Sequence, residues 1–263
     1  MERFYVPAWE LDHHEARICG EAFKHLSKVL RLQPGDEVEI FDGAGKGFKG
    51  QIREITQNEA YVALTAAVAQ RRESPLRTCL VQGIPKGEKM EWVVQKATEL
   101  GVSELIPLEM SRSIVKFDND KKRKERQERW QKVAAEAARQ CGRLIIPKIH
   151  MPQSLKTFLV RLGDEDLLLI PWEEGGAALS DFFEAHEAQR ASITEAVSKE
   201  STQSRGCLYL MIGPEGGMDA SEVEQAKARG GVNVTLGPRI LRTETAGLML
   251  LSVIQYQWGD TGR

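Results

Sequence analysis

The sequence has no surplus of either charge. Lys and Arg number 36 against 38 Asp and Glu, a formal net charge of −2 over 263 residues. With no global positive field to draw in nucleic acid, any such contact must come from local basic patches. Cysteine is scarce and scattered: Cys19, Cys79, Cys141 and Cys207. No CxxC pair or Cys/His cluster has zinc spacing, so no metal is expected. Isolated thiols fit a reducing compartment better than a disulfide framework. Long apolar runs are missing too. The opening, Met1-Glu2-Arg3-Phe4-Tyr5-Val6-Pro7, lacks a signal-peptide core. The most apolar stretch, residues 246–254, is too short to span a bilayer. The expectation is a cytoplasmic protein with no membrane contact.

Several fingerprints are absent as well. No GxGxxG leads from a strand into a helix, which excludes a Rossmann dinucleotide site and the class I methyltransferase pattern. GxxxxGKS/T is missing, and with it a P-loop. No GxSxG offers a nucleophile elbow. There is no internal repeat.

What is present falls into two parts. Residues 3–6, 37–41, 48–55 and 59–68 read as strands, and the glycines of Asp42-Gly43-Ala44-Gly45-Lys46-Gly47 suit a hairpin turn. Phe23, Leu26 and Leu30 recur at helical spacing over residues 21–30. Short strands with one helix predict a small barrel over residues 1–72. Arg71-Arg72-Glu73-Ser74-Pro75 reads as a linker. Strand and helix alternate over residues 73–263, with strands at 78–84, 104–108, 144–149, 167–171, 207–212 and 232–236. Helices are expected at 88–100, 125–141, 154–162, 219–229 and 241–257. The alternation predicts an α/β domain with a parallel sheet covered on both faces. Residues 184–206 read as a polar surface insertion.

Ligands of open α/β sheets bind beyond the carboxyl ends of strands. Two segments have suitable composition there. Gly213-Pro214-Glu215-Gly216-Gly217 follows an apolar strand, and Asp219 or Ser221 with Glu222 can cap the next helix. Its glycines admit close backbone approach to a ligand, or simply make a turn. Leu236-Gly237-Pro238-Arg239-Ile240-Leu241-Arg242-Thr243-Glu244-Thr245-Ala246 sets charged residues before an apolar helix. Arg242 and Glu244 are functional candidates or a structural ion pair.

These two segments together resemble the S-adenosylmethionine (SAM) binding signature of the RsmE family, the 16S ribosomal RNA uridine-N3 methyltransferases. Further matches follow in order: Arg3; His25 with Val29-Leu30-Arg31; Phe41-Asp42-Gly43; Gly87-Glu88-Lys89-Met90-Glu91; Gln95-Lys96 with Glu99-Leu100-Gly101-Val102; and Gln140-Cys141-Gly142-Arg143. The resemblance implies an N-terminal PUA-like barrel and a C-terminal SPOUT domain with a deep trefoil knot. It also implies a homodimer acting on 16S ribosomal RNA in the 30S subunit. SAM is then expected at Leu169, Ile170 and Pro171; at Ile212, Gly213, Pro214, Glu215, Gly216 and Gly217; and at Leu236, Gly237, Ile240 and Leu241. Arg242 is expected to stabilise charge on the uracil, and Glu244 to accept the N3 proton or orient Arg242. Arg3, Lys28, Arg31 and Arg143 are the expected RNA contacts, with Lys86 and Lys89 as weaker candidates. The run Lys121-Lys122-Arg123-Lys124 is interspersed with acids and reads as a solvated helix start. His25 reads as a packing residue.

Overall fold

The computed structural model describes residues 1–12, 14–68, 72–194 and 206–262. Two compact units divide the chain: Met1–Glu73 with Ala135–Ile146, and Ser74–Ala134 with Pro147–Arg263.

In the first unit, β1 (Glu2–Tyr5), β2 (Glu15–Cys19), β3 (Glu37–Phe41), β4 (Gly47–Ile55) and β5 (Glu59–Ala67) make one sheet in the order β1-β3-β4-β5-β2. β1 runs parallel to β3, and the other pairings are antiparallel. Alternate side chains such as Ile18, Ile40, Ile52 and Val62 turn inward onto Phe4 and Leu26. The Asp42 carboxylate accepts from the amides of Ala44 and Lys46 at 2.8 and 2.9 Å, which shapes the turn between β3 and β4. β2 was not anticipated. Its inward positions, Ala16 and Ile18, are too few and one too small to stand out between charges.

The helix expected at 21–30 is α1 (Gly20–Lys24) running into a π-helical turn, His25–Leu30. Arg31 closes it in the left-handed region at φ 54°, ψ 38°. Among the described residues it is the one non-glycine with positive φ. The His25 ring packs edge-on to Phe4, with centroids 6.4 Å apart.

The second unit holds β6 (Thr78–Gly83), β7 (Glu104–Glu109), β8 (Lys148–Ile149), β9 (Gln153–Ser154), β10 (Leu167–Pro171), β11 (Ala177–Ala178), β12 (Leu208–Ile212) and β13 (Val232–Thr235). Their order is β11-β13-β10-β12-β6-β7-β8, with β9 also on β7, and every pairing is parallel. The helices are α2 (Lys89–Glu99), α3 (Asp120–Cys141), α4 (Leu155–Leu159), α5 (Leu179–Ala185), α6 (Arg190–Ile193), α7 (Ala220–Lys227) and α8 (Thr243–Gln257). From Ala135 onward, α3 belongs to the first unit.

β6 and β12 are buried along their whole length, as parallel strands covered on both faces must be. Val81, Ile106, Ile170 and Met211 meet Phe158 and Val223 in one core. α8 packs on β6, β12 and α2 and buries Leu250, Leu251 and Ile254. At its far end the buried Trp258 indole sits 5.7 and 5.0 Å from the rings of Phe182 and Phe183. Trp258 Nε1 donates to Glu187 at 2.8 Å, and its carbonyl accepts from Arg190 at 3.2 Å.

α3 starts at Asp120, earlier than apolar spacing suggests. The Asn119 side chain accepts from the Lys122 amide at 3.0 Å and caps it. Its basic run is neutralised locally: Lys122 pairs with Asp118, Arg123 with Glu109 and Asp120, and Lys124 with Glu128. Within the expected insertion, α5 and α6 order the chain through Ile193; residues 195–205, like Arg71 of the expected linker, lie outside the described residues. Among the described residues, no helix is long and apolar enough to cross a membrane, and no His, Cys, Asp and Glu cluster could hold a metal.

Candidate functional site

β10, β12 and β13 are adjacent in the sheet, with β10 in the middle. Parallel pairing brings their carboxyl ends to one edge, and the loops that follow enclose a cavity of about 570 Å³. Pro171, Trp172 and Glu173 come from the first loop, residues 212–218 from the second, and residues 235–243 from the third. This is where an open parallel sheet offers space for a ligand.

The glycine loop is built for this place. The Asp219 side chain accepts from the Ser221 amide at 3.0 Å, and Glu222 accepts from the Asp219 amide at 3.0 Å, a capping box that starts α7. The other Glu222 oxygen accepts from the Ser111 amide at 2.8 Å. Gly217, at φ +72°, turns the chain into that cap through a region side chains rarely adopt. Gly83 ends β6 so close to the loop that a Cβ there would lie 2.5 Å from the Pro214 nitrogen.

Beneath the cavity runs a buried polar chain. Gln82 Nε2 donates to Thr243 Oγ1 at 2.8 Å, and Thr243 Oγ1 donates to the Gly213 carbonyl at 2.5 Å. Above it, Glu215 accepts from the Lys86 amide at 3.1 Å and from Lys89 Nζ at 3.1 Å. Partial burial pushes the Glu215 carboxyl up, but its backbone hydrogen bonds and Lys89 outweigh that and hold it below the usual range. The Glu215 contact likewise raises Lys89.

The expected SAM residues separate into two groups. Pro171, Ile212, Gly213, Pro214, Glu215, Gly216, Gly217, Leu236, Gly237, Ile240 and Leu241 all line the cavity. Leu169 and Ile170 do not. Their side chains are fully buried within β10, and only the strand's last residue reaches the edge. Arg242 is on the wall and exposed. Glu244 sits one step back, in the first turn of α8, with Lys89 Nζ at 3.6 Å. The Arg242–Glu244 ion pair left open by the sequence is not formed; the charged partner of Glu244 is Lys89.

Two of the four expected RNA contacts, Arg143 and Arg3, are engaged within the protein. Arg143 is 4% exposed, and its guanidinium is taken by Glu73 at 2.8 Å. Arg3 pairs with Glu39 at 2.7 Å, donates to the carbonyls of Ala138, Arg139 and Arg143, and covers the Phe41 ring. Both guanidinium groups are committed to the first unit's own structure. Lys28 and Arg31 are exposed.

Sequence reasoning missed Gln82, Thr243, Glu173 and the bridging position of Lys89. A glutamine inside an otherwise apolar strand was the available signal for the first.

The sequence matches the RNA methyltransferase domain family over residues 72–255 and the RNA methyltransferase PUA domain family over residues 18–65. It is 35% identical to ribosomal RNA small subunit methyltransferase E of Bacillus subtilis, covering 98% of this chain and 97% of the relative. The chain belongs to the ribosomal RNA small subunit methyltransferase E family. The Neisseria gonorrhoeae member of that name, solved bound to S-adenosyl methionine, is similar at 30% identity and a TM-score of 0.83, with 99% of both chains covered. A putative methyltransferase from Legionella pneumophila, solved in complex with SAM, is similar at 32% identity and a TM-score of 0.80, with 98% of both covered.

Proposed function

We propose that this protein transfers a methyl group from SAM to N3 of a uridine in the 16S ribosomal RNA of the small subunit. The observation that carries the reading is the cavity formed at three adjacent strand ends with Arg242 exposed on its wall. Membership of the family and the SAM-bound relatives support it.

The residues fit such a donor. The volume suits a nucleoside-sized ligand. Ile212, Leu236 and Leu241 give an apolar wall for an adenine, and Glu173 gives negative charge for the cationic end. The buried Glu244 Oε2 makes no hydrogen bond among the described residues. When bound, the donor supplies an electrophilic methyl on a sulfonium. Arg242 then faces the uracil and offsets the charge that develops on O2 and O4 as N3 loses its proton. Glu244 accepts that proton directly or through water. Lys28 and Arg31 hold RNA phosphates.

The reading includes an all-parallel SPOUT domain whose last helix is tucked into a deep trefoil knot. It also includes a first unit that closes as a PUA-like barrel, a homodimer, and a cytoplasmic location. The test is incubation with SAM and 30S subunits, followed by mass spectrometry of the nucleosides. Uridine methylated on the base in 16S RNA is the expected product. A ribose 2′-O-methyl product, or tight subunit binding without any product, overturns the reading.

A further inference from the structure

One ammonium serves two carboxylates from different loops. Lys89, the first residue of α2, lies 3.1 Å from Glu215 in the glycine loop and 3.6 Å from Glu244 in the first turn of α8. Lys89 and Glu215 line the cavity. The Glu244 contact is too long for a hydrogen bond, and its Oε2 is buried without one. Among the described residues, Lys89 is the one charge that pairs with Glu244. The arrangement is costly unless the charge balance at this wall matters.

Resting on the donor reading above, we infer that Lys89 is the counter-charge of the site: it keeps Glu215 and Glu244 from gripping a cationic donor and so sets the preference between a sulfonium and the neutral thioether left after transfer. Lys89 acts through the two carboxylates and is a positioning residue. Without it, two uncompensated negative charges, Glu215 on the wall and Glu244 one step behind it, hold a sulfonium more tightly than a thioether. As the carbon–sulfur bond breaks, its electron pair stays on sulfur and the positive charge there disappears. The grip is therefore stronger at the start than at the midpoint of transfer. Interactions that favour the starting state slow turnover. Lys89 cancels that grip and joins the glycine loop to α8.

The test compares wild type with Lys89→Met and Lys89→Arg, using calorimetric dissociation constants for SAM and for S-adenosylhomocysteine, together with kcat and KM on 30S subunits. In Lys89→Met the ratio of the two dissociation constants is expected to move about tenfold towards SAM. The KM for SAM and kcat should both fall, kcat by about fivefold or more. Lys89→Arg keeps the charge and should hold the ratio within about twofold of wild type. An unchanged ratio in Lys89→Met, or equal shifts for both ligands in either direction, overturns the inference. A folding lesion gives the second pattern, because it weakens both ligands together. Wild type that binds neither ligand overturns the donor reading, and the inference with it.

Discussion

The Thr243 hydroxyl donates to the Gly213 carbonyl at 2.5 Å, fastening the first turn of α8 to the glycine loop. It also accepts from Gln82 at 2.8 Å, so one hydroxyl satisfies two buried partners. Thr243→Val removes both bonds with almost no change in shape. The expected loss of stability is about 1–3 kcal/mol in urea titrations, with SAM affinity weakened in calorimetry. Thr243→Ser should retain both.

Arg242 carries the proposed charge stabilisation. Arg242→Ala is expected to lower kcat by about 100-fold while SAM binding changes by less than about threefold. Single-turnover assays on 30S subunits measure the first quantity and calorimetry the second. Near-normal turnover would remove Arg242 from the chemistry.

The basic residues of the first unit separate into two kinds. Breaking the buried pair by Arg143→Ala should cost about 3–5 kcal/mol of stability, because Glu73 loses its partner. Lys28→Glu with Arg31→Glu alters two exposed residues that form no ion pair among the described residues and should leave stability nearly unchanged. The same double variant should weaken RNA binding and flatten its salt dependence. Equal RNA affinity for wild type and the double variant would exclude this surface.

Glu104 accepts from Arg77 at 3.0 Å and from His150 at 2.6 Å. The His150 hydrogen bond, opposed by burial, brings its carboxyl to about 2, from an ordinary 4.5. A depressed carboxyl stabilises the fold fully above pH 4.5, and the contribution is lost as pH falls towards 2. Glu104→Gln should therefore be less stable than wild type by about 2–3 kcal/mol at pH 7. The gap should close between pH 5 and pH 2 in urea unfolding series. A constant gap across that window contradicts the pairing.

Much of the second unit was legible because parallel strands buried on both faces are written as short apolar runs between amphipathic helices. β6, β10, β12 and β13 each appear within a residue or two of their observed bounds. The two loops of the site were legible from glycine and charge after such runs. What escaped depends on distance along the chain. Nothing local to Lys89 says that it meets Glu215 and Glu244, and nothing local to Arg143 says that Glu73 covers it. A sequence also cannot distinguish an arginine that builds a fold, as Arg3 and Arg143 do, from one that only faces solvent. The shift from α to π geometry at His25 was equally hidden, since apolar spacing over 21–30 fits either winding.

α8 is fastened at both ends, by Thr243 on the glycine loop and by Trp258 between Phe182 and Phe183. At 3.6 residues per turn, adding or removing one residue between these points rotates one end by about 100° relative to the other. The helix can thus exchange exposed side chains freely but not change length. Relatives with insertions should carry them in the connections and keep the same count of residues from Thr243 to Trp258.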